Sequence, residues 1–225
     1  PRLRRQRQMC IRDRININSI SGLLGPNGAG KTTFFYILAG LLQPSEGEII
    51  FNQKVITKKT IRERANLGIV YLPQEPSIFR NLTVLDNIKS AFEVQKLDQK
   101  KLSSRTEEII EDFDISSITS QKGGELSGGQ RRRVEIARSI ALNPKFIMLD
   151  EPFAGIDPIA ILELKNLIKK LSNKGLGILI SDHNVKATMD ICSEIFIISE
   201  GSIISKGTPD EVSNNEIVKK TYLGE

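Results

Sequence analysis

Gly25-Pro26-Asn27-Gly28-Ala29-Gly30-Lys31-Thr32 is a glycine-rich run that ends on a lysine and a hydroxyl. Glycines let backbone N–H groups converge on phosphate oxygens, and a helix that starts there adds the positive end of its dipole. Lys31 is then placed for the β- and γ-phosphates of a nucleotide and the Thr32 hydroxyl for a Mg²⁺ ion, with Thr33 following in the first turn. A plain glycine-rich turn is the competing reading. It explains neither the lysine nor the agreement of all eight positions with a phosphate-binding loop.

Such a loop leaves kinases, GTPases and transport ATPases open. Phe146-Ile147-Met148-Leu149-Asp150-Glu151-Pro152 narrows them, because four apolar residues of a buried strand end in two adjacent carboxylates. Ligands sit at the C-terminal ends of strands in open α/β sheets. Asp150 can hold Mg²⁺, and Glu151 is the candidate general base that polarises the attacking water. Leu126-Ser127-Gly128-Gly129-Gln130 adds a third piece. Ser127 and Gln130 have the spacing of a capping box, so a helix should start here. Two exposed glycines inside the box exceed what a cap needs and suit a helix N-terminus that receives a phosphate.

These residues need a scaffold, and the chain has the pattern of one. Short apolar runs at residues 20–24, 47–51, 69–72, 146–149, 177–181, 195–199 and 203–206 read as strands. Helical spacing is read at 33–42, 159–171 and 209–222. Apolar strands alternating with helices imply an α/β fold with a mainly parallel sheet, covered on both faces. The charged, helix-prone stretch at about 83–142, with a polar connector at 96–104, reads as an inserted helical subdomain. The sheet core is then 15–82 and 143–225.

Composition excludes other classes. Over 225 residues, 39% hydrophobic and 26% charged side chains describe an ordinary globular chain with ample core material. No apolar run approaches the ~18 residues of a membrane span. Two cysteines, Cys10 and Cys192, make neither a disulfide framework nor a metal quartet. Six arginines and one aspartate in residues 1–14 account for the whole net charge of +5. The remaining residues balance to zero, so no nucleic-acid partner is expected. Arg131, Arg132 and Arg133 read as a solvated, partly salt-bridged helix face.

With these motifs in this order, the chain resembles the ATP-binding subunits of ABC transporters, whose signature pentapeptide residues 126–130 match in full. The resemblance runs from Ile15 onward. It implies that Gln74 is the glutamine that contacts Mg²⁺ and the attacking water and signals to the membrane subunit. It makes His183, the only histidine, the switch residue at the γ-phosphate, and Asp157 a residue that crosses to the opposite subunit. It further implies a homodimer with ATP and Mg²⁺ sandwiched at the interface. There Ser127 and Gly129 of one copy would meet the γ-phosphate held by Lys31 of the other. Transmembrane permease subunits complete the assembly, which puts the chain on the cytoplasmic face of the inner membrane. Residues 71–80, 131–138, 150–158, 182–185 and 222–225 are similar to the lipopolysaccharide-export branch, ahead of the branched-chain amino-acid importers. Soluble members of translation carry two cassettes, and repair members place long coiled coils between phosphate loop and signature. Phe79 and Ile78, close after Gln74, are expected near the docking groove for the membrane subunit, with ordinary subdomain core as the alternative.

Residues 1–14 stand apart. Their arginines contrast with a lysine-preferring remainder, and they show neither helical nor strand periodicity. They are read as a non-native leader, which would stand where the family has two further strands and an aromatic that stacks on adenine.

Overall fold

Five fully buried residues, Ile20–Leu24, form β1 and lie at the centre of the sheet. The structure, a computed structural model, describes residues 15, 18–93, 95 and 98–218. After β1 come α1 (Lys31–Ala39), β2 (Ile50–Phe51), β3 (Lys54–Val55), α2 (Ile61–Asn66) and β4 (Ile69–Leu72). The helices α3 (Val84–Glu93), α4 (Gln99–Asp112) and α5 (Gly128–Ala141) fill the chain between β4 and β5 (Phe146–Asp150). Then follow α6 (Pro158–Asn173), β6 (Gly177–Ser181), α7 (Val185–Met189), β7 (Glu194–Ser199), β8 (Ser202–Gly207), α8 (Pro209–Asn214) and α9 (Glu216–Val218).

Among the described residues the main sheet has the order β4-β5-β6-β1-β7-β8, parallel except for β8. The expected mainly parallel α/β fold is therefore present. Parallel strands put their C-terminal ends on one edge, so Leu24, Leu72, Asp150 and Ser181 all deliver the chain to the same side. Leu72 is in register with Leu149, and Asp150 with Ser181.

Both faces are covered, as the unbroken apolar runs require. Ile147, Leu149, Ile178 and Ile180 point into the cluster that includes Val134, Ile136 and Ile168 of α5 and α6. Phe146, Met148 and Leu179 point the other way, against Phe35 and Ala39 of α1. Burying each large side chain of this kind contributes about 1.5–3 kcal/mol. The α3–α5 block joins the first cluster through Val84, Ile88, Phe92 and Ile109, so its apolar contacts run without a break into the sheet face.

Some boundaries differ from expectation. The polar connector read at 96–104 is helical from Gln99, because Asp98 caps α4 by accepting from Lys101 N at 2.9 Å. The strand read at 47–51 shrinks to Ile50–Phe51. Asn52 and Gln53, with φ of 48° and 63°, turn it back on β3. The helix read at 209–222 breaks at Asn215, which is extended, before α9. Residues 1–14 and the 222–225 motif lie outside the described residues.

Candidate nucleotide site

The phosphate loop leaves β1 at Gly25, where a Cβ would stand 2.1 Å from the carbonyl oxygen of Ile198. Only glycine fits so close to that backbone. Gly28 and Gly30 have φ of 77° and 109°, a conformation costly for other residues. Gly30 begins α1 with no side-chain cap, so the amides of its first turn are not taken by a capping oxygen. Ala29 O accepts from Gly201 N at 2.9 Å, which ties the loop to the β7–β8 turn. Lys31 Nζ donates to Gly25 O at 2.6 Å and Pro26 O at 3.1 Å. Partial burial pulls its pKa down, opposed by the charges of Glu151 and Asp150. Thr32 and Thr33 are exposed at the start of the helix.

Asp150 ends β5 almost fully buried, and its Oδ2 accepts from the Tyr71 hydroxyl at 3.1 Å. Burial raises its pKa, the Tyr71 hydrogen bond opposes that, and Glu151 adds to it. Burial and the Asp150 charge push the Tyr71 phenol upward as well, so it stays a donor. The next residue turns sharply. Glu151 has a left-handed backbone (φ 46°), and its N–H donates to Ser181 O at 2.7 Å across to β6. Strained backbone of this kind clusters at functional sites.

Three of the expected residues meet at that carboxylate. Gln74 Nε2 donates to Glu151 Oε2 at 2.7 Å, and His183 Nε2 lies 2.7 Å from Glu151 Oε1. Asp182 holds this corner from beneath. It is buried, and its oxygens accept from Phe153 N at 2.8 Å and Asn184 N at 2.7 Å. Sequence reasoning missed Asp182 although it too is an acid at the C-terminal end of a mostly apolar strand, as Asp150 is. Tyr71 was also missed; its only cue is a hydroxyl on the strand beside β5.

A Mg²⁺ ion is implied by the loop, and the donors suit it. The Thr32 hydroxyl, the Asp150 carboxylate and the Gln74 carboxamide oxygen, the atom not used toward Glu151, are hard oxygen ligands. Among the described residues no three His, Cys, Asp or Glu side chains gather as a metal cage.

The signature residues open α5. Ser127 caps α5 in the expected box with Gln130. Its glycines are half-buried, contrary to expectation. A Cβ on Gly129 would stand 2.6 Å from Ala160 Cβ, and one on Gly128 would stand 3.0 Å from Gly155 O. The close approach of α5 and α6 therefore needs small residues here regardless of any ligand. Asp157 caps α6 by accepting from Ala160 N at 2.9 Å, and it is exposed.

Two expectations fail in part. Arg133 reaches Asp114 and Glu163 on the surface, but Arg132 is 6% exposed and belongs to the interior. The three successive arginines masked a helix face that turns inward. Ile78 is buried in the core at 7% exposure, which removes it from any docking surface, whereas Phe79 is 51% exposed. Arg138 stacks over the Phe79 ring, 4.7 Å from its centroid.

A family model described as ABC transporter matches residues 11–154. Among curated relatives, the lipopolysaccharide export system ATP-binding protein LptB of Haemophilus influenzae is 52% identical over 94% of this chain and 88% of its own length. LptB of Escherichia coli K12 is 48% identical over the same shares. Solved structures agree in fold. An ATP-binding cassette of an ABC transporter in its ADP conformation has a TM-score of 0.83 at 30% identity, covering 94% of this chain and 90% of that one. The cbiO1 protein of Clostridium perfringens, part of the transporter complex cbiONQ, reaches 0.84 at 30% identity over 95% and 86%. A nucleotide loop, an acidic strand end and a signature helix on this sheet order thus coincide with an extensive likeness, and the chain belongs to the ABC transporter family as an ATP-binding domain.

Proposed function

We propose that the chain is the ATP-hydrolysing subunit of a transporter that extracts lipopolysaccharide from the inner membrane of a Gram-negative cell. The observation that carries hydrolysis is the meeting of Gln74 and His183 on Glu151. In this reading residues 25–33 cradle the phosphates and Lys31 leaves its two loop carbonyls for the β- and γ-oxygens. Glu151 takes a proton from the attacking water, His183 holds the γ-phosphate side, and Gln74 orients both the carboxylate and the water. Mg²⁺, when bound through Thr32, Asp150 and Gln74, neutralises charge that develops on the transferred phosphoryl group.

The assembly is a homodimer in which Ser127 and Gly129 of one copy complete the ATP site of the other, with Asp157 at the seam. Two membrane permease subunits seat the dimer on the cytoplasmic face of the inner membrane. No helix among the described residues is long and apolar enough to cross a membrane, so the permeases supply the anchorage in this reading. The exposed Phe79 ring faces them. The lipopolysaccharide cargo rests on the names of the similar proteins, since the path of a cargo lies in the membrane partner. Purification of the native complex with mass spectrometry of its membrane subunits tests this. Permeases whose complex releases lipopolysaccharide in an ATP-dependent way are expected; permeases that carry amino acids overturn the cargo and leave the ATPase standing.

A further inference from the structure

The guanidinium of Arg132 lies beneath the site and touches both loops that supply its base, Glu151, and the glutamine that orients it, Gln74. Nη1 donates to Pro73 O at 3.0 Å, the carbonyl just before Gln74. Nη2 donates to Asp150 O at 2.8 Å, the carbonyl just before Glu151. The charge is balanced by Glu135, one turn along α5, whose Oε2 accepts from Nη1 at 3.2 Å. Glu135 in turn uses Oε1 to accept Ser77 N at 2.8 Å and Ile78 N at 3.3 Å, further along the same loop. Both side chains are buried, at 6% and 2% exposure. A planar fork reaches two carbonyls at fixed separation, which a lysine ammonium does not.

We propose that Arg132 is a positioning residue for hydrolysis. By gripping the carbonyls of Pro73 and Asp150 it sets the distance between Gln74 and Glu151, and it ties that pair to the helix whose first residues carry the signature. A shift of α5 when Ser127 meets nucleotide would then move both loops together. The inference rests on the reading of Glu151 as the base. Misplacement of a reacting group by about 1 Å costs on the order of 10²-fold in rate.

Two variants test it, each in the purified transporter complex. Arg132→Met with Glu135→Gln removes both charges and leaves no buried ion unpaired. Arg132→Lys keeps the ion pair but not the fork. Both are expected to lower kcat by about 10- to 100-fold with KM for ATP within roughly threefold. Hydrogen exchange should quicken at residues 73–78 and 150–154 and stay unchanged across β6 and β7. If the double variant does not fold, the lysine variant decides. Wild-type kcat in either folded variant overturns the role of Arg132 while leaving the ATPase reading intact. A general rise in exchange across the sheet, with kcat and KM worsening together, also overturns it in favour of simple stability. A wild-type complex without ATPase activity removes the hydrolysis reading, and this inference with it.

Discussion

His183 and Glu151 stand 2.7 Å apart, Nε2 to Oε1, although they leave different strands of the sheet. The contact exists because β5 and β6 run parallel in register at Asp150 and Ser181, so each strand releases its next residues at the same edge. Gln74 reaches the other oxygen of the same carboxylate from β4.

Glu151→Gln should keep this geometry while removing the base. An amide preserves shape and hydrogen-bonding capacity but takes no proton, so turnover in the assembled complex should fall about 10²–10⁴-fold with ATP binding retained. Equilibrium binding of labelled ATP beside a phosphate-release assay separates the two quantities. Turnover near the wild-type rate would leave some other group as the base.

The sequence showed more of this site than of its support. Glycine spacing, the acidic strand end and the lone histidine mark residues by type, and type is what chemistry selects. Arg132 and Asp182 are ordinary charged residues by composition. Their burial depends on which helix face turns inward and on a carboxylate meeting amides from two loops. Neither fact has a periodic signature. The two-residue strands failed for a related reason, since β2 and β3 are fixed by a tight turn rather than by an apolar run.

Gly129→Ala tests why the signature needs its glycine. The added Cβ points at Ala160, 2.6 Å away, and so toward α6. Overpacking of this kind costs typically 1–3 kcal/mol. Pairing it with Ala160→Gly should restore both the denaturation midpoint and the ATPase rate, because the new methyl occupies the space vacated on α6. Restored stability with lost ATPase would mean that the side of Gly129 proposed to meet the facing copy's ATP needs the glycine as well, beyond its packing on α6.

A surface carboxylate held by two lysines predicts a pH signature. Asp112 at the end of α4 accepts from Lys174 at 2.5 Å and sits 3.1 Å from Lys170, both near the end of α6. The Lys174 and Lys170 hydrogen bonds pull its pKa below the ordinary value against the opposing effect of burial. A depressed carboxylate stabilises the fold above its unfolded pKa of about 3.9, and that contribution is lost as pH falls through the lower folded value. Half-exposed lysines limit it to about 0.2–1 kcal/mol. Asp112→Asn should therefore lower the urea midpoint slightly at pH 7, with the gap narrowing below about pH 4 and in 1 M salt. A gap that is the same at both pH values would mean that packing, not charge, is lost.

Ser127 should serve the nucleotide of the facing copy of the chain rather than its own. Its hydroxyl is exposed and caps α5, and the glycines beside it pack on α6 and on the loop before it. Lys31 begins α1, after the loop that leaves the C-terminal end of β1. In the proposed dimer each ATP lies between Lys31 of one copy and Ser127 of its partner. Lys31→Ala and Ser127→Arg should each abolish activity alone, the first by removing a phosphate ligand and the second by filling the phosphate's place. When the two variants are mixed and allowed to exchange subunits, each mixed dimer concentrates both lesions in one composite site and leaves the other whole. Half of the dimers then carry one sound site, so roughly a quarter of the wild-type rate should return if the sites act independently. If Ser127 served its own copy's nucleotide, every site in the mixture would carry a lesion. Mixing would then recover no activity, and the composite site would be wrong.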